Sequence, residues 1–153
     1  MDKSTLLEKL DRSHQQMLET IAGLSKEDLL QPGVVEDWSV KDILNHLSHW
    51  EAELVTLLWL VEQGQRPVIK FHSAAEIEAL NQQWYGEGRE RSLELVMEDF
   101  KGVRKQTIRR VNALAEGDLM KIGHFPRHRR RLDQLSATVD YEAVGVAGKG
   151  TGD

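Results

Sequence analysis

The chain has 153 residues, of which 40% are hydrophobic and 29% are charged, so we expect one domain with a buried core. Its 25 acidic residues outnumber its 20 basic ones, and the net charge of -5 argues against a general binder of nucleic acid or of anionic membranes. The absence of cysteine excludes disulfides, thiolate metal sites and cysteine nucleophiles, so a metal ion would need His, Asp, Glu or water as ligands.

Local signals predict a first helix and a short turn after it. Thr5-x-x-Glu8 is typical of a capping box, and the apolar residues around it recur at spacings of three, four or seven. These residues are Leu6, Leu10, Met17, Ile21 and Leu24. Residues 25–28 predict a short extra turn, which Pro32 and Gly33 end.

A second, longer helix is predicted after an irregular stretch. Ser39 is a good N-cap with Asp42 at the third helical position, and Trp38 and Ile43 have the spacing of a hydrophobic staple. We expect Gly64 to end this helix. Its buried stripe consists of Ile43, Leu47, Trp50, Leu54, Leu57, Leu58 and Val61.

The next segment is predicted to be helical but bent. Ser73 and Glu76 form its N-terminal cap, while Gly86 and Gly88 interrupt it and predict a bend in the chain.

A long amphipathic helix is predicted between Ser92 and Gly117. We expect its inward face to carry Val96, Phe100, Val103, Thr107, Val111 and Leu114. We expect its solvent face to carry Arg104, Lys105, Arg109 and Arg110. A last helix is predicted from about 125 to 135, and the glycine-rich residues 139–153 predict a frayed tail.

No segment alternates apolar and polar residues convincingly, so the fold class is all-α. Four main amphipathic helices in residues 1–138 predict a single up-down four-helix bundle. The region 69–85 is then a long helical crossover between the second and third of these helices.

Histidines supply the first indication of a site. His46 lies beside the apolar stripe of the second helix, and the i,i+4 spacing of His124 and His128 puts two imidazoles on one face of the last helix. These three could share a site, although a lone helical histidine is more often a core or surface residue. We expect His49 to form a surface pair with Glu53.

Two stretches resemble a known family. Residues 38–51, WSVKDILNHLSHWE, resemble the second-helix signature of the DinB-like four-helix bundles, and especially the ClbS/DfsB branch that includes the colibactin self-resistance proteins. Residues 79–100 are similar to the Asn-containing helix of that branch and the start of its following long helix. His124 and His128 are similar to its last histidine pair, although the approach to them is shorter here. The resemblance covers roughly residues 4–135.

The resemblance implies candidate chemistry. DinB-like relatives often hold a divalent transition metal with three histidines, for which His46, His124 and His128 are the matching positions. Zn²⁺, Ni²⁺ or Fe²⁺ would accept such ligands and activate a bound water, while a metal-free site is the alternative because the ClbS-like branch is not uniformly metallated. Glu51, which follows Trp50 in the signature, is the candidate general base.

The tryptophans indicate a ligand pocket. Trp50, Trp84 and Tyr85 would wall an apolar cleft with Asn81 as its polar anchor, a composition typical of small-molecule sites. Core packing is the other explanation for these aromatic side chains.

The resemblance implies a function of the enzyme class. The protein is expected to bind an electrophilic small metabolite and deactivate it by adding water, with cyclopropane opening as the family example. The alternatives are a metal-dependent hydrolase or thiol transferase, and a non-catalytic bundle that sequesters a ligand or forms a homodimer. The arginines within 127–131 predict a solvated face rather than a nucleic-acid site. Because no signal segment or membrane span is apparent, we expect a cytoplasmic location.

Overall fold

The computed structural model describes residues 2–65 and 73–123, and the described side chains end at residue 119. These residues form α1 (Lys3–Ala22), α2 (Lys26–Leu30), α3 (Val40–Glu62), α4 (Ala74–Arg89), α5 (Leu93–Ala113) and α6 (Glu116–Gly123). Their only extended pairing is an isolated bridge between Val35 and Trp38, which confirms the predicted all-α helical bundle. The predicted last helix and the tail of residues 139–153 lie outside the described residues.

No helix in the described ranges combines the length and apolar character that crossing a bilayer requires.

Serine caps start four of the helices, as the sequence predicts. The side chains of Ser25, Ser39, Ser73 and Ser92 each accept a hydrogen bond from the backbone N–H three residues later. An N-cap of this kind stabilises a helix by about 0.5–2 kcal/mol. These helix starts could be predicted because each cap depends only on residues three apart in the chain.

The predicted start of the first helix was wrong. Asp2 rather than Thr5 is the N-cap, and its Oδ1 accepts a hydrogen bond of 2.8 Å from the backbone N–H of Thr5. Aspartate is at least as good an N-cap as threonine, and the earlier start adds helical hydrogen bonds.

The predicted bend at Gly86 and Gly88 is also wrong, because α4 continues through both glycines to Arg89. The long helix ends earlier than predicted, at Ala113, and Gly117 lies inside α6. Leu114 has an extended backbone there, with ψ of 139°, and its side chain is buried in the core. The helix therefore ends at a buried leucine rather than at the glycine that the sequence suggested.

The core consists of two apolar clusters, which lie at different positions along the lengths of α1, α3 and α5. The first contains Leu6, Leu10, Leu54, Leu57, Leu58, Val61, Val111 and Leu114. The second contains Met17, Ile21, Leu29, Val40, Ile43, Leu44, Leu93, Val96 and Phe100. Between the two clusters lies a layer of buried polar side chains, which we call the polar layer: His14, Ser48, Glu51, Arg104 and Thr107.

His14 makes the stability of the fold sensitive to acid. Its ring packs 5.3 Å from that of Phe100, and its buried Nδ1 has no hydrogen-bond partner among the described residues. Burial, followed by the positive charge of Arg104, lowers the pKa of His14 from 6.5 to about 4. Between these two pKa values the unfolded chain binds more protons than the folded chain, so stability falls as pH falls.

We therefore expect the free energy of unfolding to fall from pH 6.5 towards pH 4, and His14→Leu to reduce that slope. Urea denaturation at a series of pH values measures how the free energy of unfolding changes with pH. His49, whose pKa is also lowered by burial, contributes in the same direction, so the difference between wild type and His14→Leu isolates the His14 contribution. Identical slopes for the two proteins would contradict this account.

Candidate functional site

Helices α3 and α4 bring three of the predicted ligand-binding residues into direct contact. The indole Nε1 of Trp50 donates a hydrogen bond of 3.0 Å to Oδ1 of Asn81. The rings of Trp50 and Trp84 meet edge to face at 83°, with their centroids 4.9 Å apart. Edge-to-face packing is a favourable aromatic geometry, and the amide fixes the orientation of the Trp50 ring.

The same cluster contains the remaining predicted wall and one predicted metal ligand. Tyr85 stacks on Trp38 with the centroids 5.7 Å apart and the planes within 9° of parallel. The imidazole of His46 lies 5.1 Å from the Trp38 ring and 6.5 Å from the Trp50 ring, edge-on to both. We call Trp38, His46, Trp50, Trp84 and Tyr85 the aromatic cluster.

A tight turn before α3 positions Trp38. Gly33 and Glu36 have positive φ angles of 97° and 52°, and the backbone N–H of Trp38 donates to the Val35 carbonyl at 2.9 Å. The helix then starts at once, because Ser39 and Asp42 form the predicted capping box. The turn and the cap together place the Trp38 ring beside the first turns of α3.

Asn45 fixes α4 against α3. Its side chain is only 3% exposed, and Nδ2 donates a hydrogen bond of 3.0 Å to the Trp84 carbonyl. Gly88 packs directly on this amide, so closely that a Cβ there would lie 2.5 Å from Nδ2. The glycine that seemed to predict a bend therefore allows close contact between the helices.

A cleft of about 440 Å³ opens between α3 and α5, on the side of α3 that carries Asn45. We call it the α3–α5 cleft. Its lining consists of Asn45, Ser48, His49, Ala52, Arg91, Glu98, Asp99, Gly102 and Val103. The predicted wall residues Trp50, Trp84 and Tyr85 do not line it, and their ligand-binding role stays a prediction.

His49 connects the cleft to the aromatic cluster. Its ring stacks on Trp84 with the planes within 5° of parallel and the centroids 4.8 Å apart, rather than serving mainly as the expected surface partner of Glu53. Burial lowers the pKa of His49 below its ordinary value, and this outweighs the nearby carboxylate of Glu87. The imidazole is therefore neutral at neutral pH and offers one nitrogen as an acceptor.

The carboxylate of Glu51, the candidate general base, is fully enclosed. Glu51 is 1% exposed, and its Oε1 accepts hydrogen bonds of 2.7 Å from Nε of Arg104 and from the Thr107 hydroxyl. Oε2 accepts a second bond from the guanidinium at 3.3 Å. Arg104 is 5% exposed, so the prediction that it faces water was wrong. A water molecule would have to displace one of these donors to reach the carboxylate.

The predicted metal centre has one ligand in the described part of the chain. His46 lies in the aromatic cluster, whereas His124 and His128 lie outside the described residues. Within residues 2–65 and 73–123, no group of three His, Asp or Glu side chains is placed to hold a metal ion. A metal at His46 would thus require at least one ligand from outside the described residues, such as His124 or His128.

Comparisons with known proteins identify the family. Residues 9–141 match the family model described as the DinB superfamily, and because the match spans most of the chain, the protein belongs to that superfamily. A crystal structure of an uncharacterised protein from Escherichia coli UTI89 is similar, with a TM-score of 0.62 and 20% identity over 75% of this chain and 71% of that one. At this identity the likeness shows the fold alone. No curated protein matches the chain.

Proposed function

We propose that this protein binds a small electrophilic metabolite at the aromatic cluster and deactivates it by adding water, as its resemblance to the ClbS/DfsB branch implies. The observation that supports the proposal best is the packing of the His46 imidazole against two indoles, with ring centroids 5.1 Å from Trp38 and 6.5 Å from Trp50. Aromatic side chains with one convergent polar group are the usual composition of a small-molecule site. Asn81 accepts a hydrogen bond from Trp50 and supplies a second polar group beside the aromatic rings.

The reaction needs a group that accepts a proton from the attacking water. The water oxygen bonds to the electrophilic carbon, and the electron pair of the strained bond passes to the leaving atom. The base takes one proton from the water and returns it to the leaving atom, so that water is added overall. We assign that role to His46, because an imidazole is suited to it near neutral pH. Glu51 is the less suitable base, because Arg104 and Thr107 already donate hydrogen bonds to its buried carboxylate.

A metal-dependent hydrolase or thiol transferase is the second candidate, and membership of the superfamily favours it. His46 would hold the ion together with His124 and His128, the positions that the family resemblance implies as ligands. A bound Zn²⁺, Ni²⁺ or Fe²⁺ would lower the pKa of a coordinated water or polarise the substrate. In that case His46 is a ligand and cannot also serve as the base.

The test uses a panel of epoxides and activated cyclopropanes as probe electrophiles in ¹⁸O-labelled water, with product followed by mass spectrometry. We expect multiple turnovers with one ¹⁸O incorporated. His46→Gln should lower kcat/KM by about 10²–10⁴ through loss of the base. Trp59→Phe is the matched control and should change little, because Trp59 lies on the same helix but is 42% exposed and outside the cluster.

The other outcomes identify the alternatives. Two results together would identify the metal enzyme. Chelation should abolish the activity and Zn²⁺, Ni²⁺ or Fe²⁺ should restore it. The protein should also contain about one equivalent of metal, which His46→Ala and His128→Ala should both lose. Stoichiometric binding of the electrophile with no product formed would favour the sequestering bundle. The predicted homodimer is checked on the same samples by measuring the mass in solution, with the exposed Trp59 and Ile77 as candidate contacts.

A further inference from the structure

We propose that the α3–α5 cleft is a second ligand site, separate from the aromatic cluster, and that it takes a small organic cation. Its volume of about 440 Å³ is large enough for a metabolite of moderate size. Its space exists because three of the residues that line it, Ser48, Ala52 and Gly102, are small. A Cβ added to Gly102 would meet no other atom within 4 Å, so the opening is genuine free space beside the α5 backbone.

The described groups that line the cleft are mainly hydrogen-bond acceptors. The Ser48 hydroxyl donates its hydrogen to the Leu44 carbonyl at 2.7 Å, which leaves its oxygen as an acceptor. Nδ2 of Asn45 is the amide atom facing the Trp84 carbonyl, because a carbonyl oxygen only accepts. Oδ1 of Asn45 accepts no hydrogen bond from the described residues, and the residue as a whole is 3% exposed. An acceptor without a partner among the described residues, on a residue that lines the cleft, favours a ligand that donates.

The charges at the rim favour the same ligand. Arg91 is the one basic residue among those that line the cleft, and its guanidinium pairs with Asp99 at 2.6 Å. Glu98 makes no ion pair with a described residue, so the three charged groups sum to one negative charge. The imidazole of His49 is neutral and adds an acceptor rather than a positive charge. A protonated amine with a compact apolar body matches this lining.

The experiment titrates the folded, full-length protein with benzylamine, followed by backbone amide chemical shifts. Benzyl alcohol and benzoate are the neutral and anionic probes with the same ring. We expect benzylamine to bind with a Kd of about millimolar, as suits so small a ligand, and to shift the amides of the cleft residues. Benzyl alcohol should bind at least about fivefold more weakly and benzoate should not bind, because only the protonated amine has a charge opposite to that of the rim.

Gly102→Val fills the cleft, whereas Gly86→Val is its matched control. Both glycines are helical, both have open space where a Cβ would go, and Gly86 does not line the cleft. We expect the first variant to weaken benzylamine at least about tenfold and the second to change its Kd less than about twofold. Circular dichroism verifies that both variants fold.

A variant that keeps the cleft open tests the charge independently of folding. Glu98→Gln should weaken benzylamine by about two- to fivefold, the effect of one exposed charge, while Glu19→Gln on α1 should not. Equal affinity in Gly102→Val and Gly86→Val, equal affinity for the amine and the alcohol, or shifts confined to the aromatic cluster would each overturn the proposal. A failure to detect turnover, or its loss in His46→Gln, would not change the binding of benzylamine in the α3–α5 cleft. The proposal for the cleft and the proposed function can therefore fail independently.

Discussion

Arg104→Leu is expected to lower the free energy of unfolding by about 3–5 kcal/mol, because it leaves the buried Glu51 carboxylate without its counter-charge. The guanidinium also donates to the Leu10 carbonyl at 2.8 Å and to the Ser13 hydroxyl at 3.1 Å. One side chain on α5 thus joins α3 and α1 through the polar layer. Chemical denaturation followed by circular dichroism at 222 nm measures the loss.

The matched control is Arg109→Leu, which removes the same charge from an exposed position of the same helix. Its effect should stay within about 0.5 kcal/mol. The double variant Glu51→Leu/Arg104→Leu should lose less than the sum of the two single variants, because it removes both charges together. Additive losses, or an Arg104→Leu effect no larger than that of Arg109→Leu, would show that the ion pair does not hold the bundle.

The variant Glu51→Gln tests whether Glu51 has a structural or a catalytic role. A carboxylate that only binds Arg104 predicts that Glu51→Gln is less stable but retains its turnover per folded molecule. A general base predicts that turnover per folded molecule is lost, whatever the change in stability. Measurement of both quantities on this one variant therefore decides the role that the sequence resemblance suggested.

Local chemistry made most of the fold predictable. The serine caps of α2 to α5 depend on residues three apart, and the apolar stripe of α3 follows directly from the spacing of its residues. Arg104 was misplaced because arginine is normally exposed, although its position continues the helical spacing of the buried stripe. The residues of that stripe are Val96, Phe100, Arg104, Thr107 and Val111, all buried. Treating spacing as stronger evidence than residue type would have identified the polar layer.

The site was predictable only in part, for a different reason. The contact between Trp50 and Asn81 joins residues 31 apart, and the resemblance rather than any local pattern brought them together. The α3–α5 cleft had no signal of its own, because it arises from small side chains on two helices whose alignment is set by the core. His49 was placed at the surface for the same reason, since its stacking partner Trp84 is on another helix.

Gly88→Ala and Gly86→Ala should change stability in opposite directions, although the two glycines are two residues apart in α4. A Cβ at residue 88 would lie 2.5 Å from Nδ2 and 2.9 Å from Cγ of Asn45. Either the buried amide leaves the Trp84 carbonyl or α4 moves away from α3, and we expect a loss of about 1–3 kcal/mol. At residue 86 a Cβ meets nothing within 4 Å, so alanine should stabilise the helix by about 0.5–1 kcal/mol.

Removal of the atoms that clash tests whether Asn45 causes the Gly88 effect. In an Asn45→Ser background the amide is absent, so Gly88→Ala should cost less than it does in wild type, and the difference is the coupling energy between the two positions. Tryptophan fluorescence gives an independent readout, because displacement of α4 would separate the perpendicular rings of Trp50 and Trp84. If Gly88→Ala and Gly86→Ala were equally stabilising, the close approach of α3 and α4 would not depend on the glycine, and the packing described between these helices would be wrong.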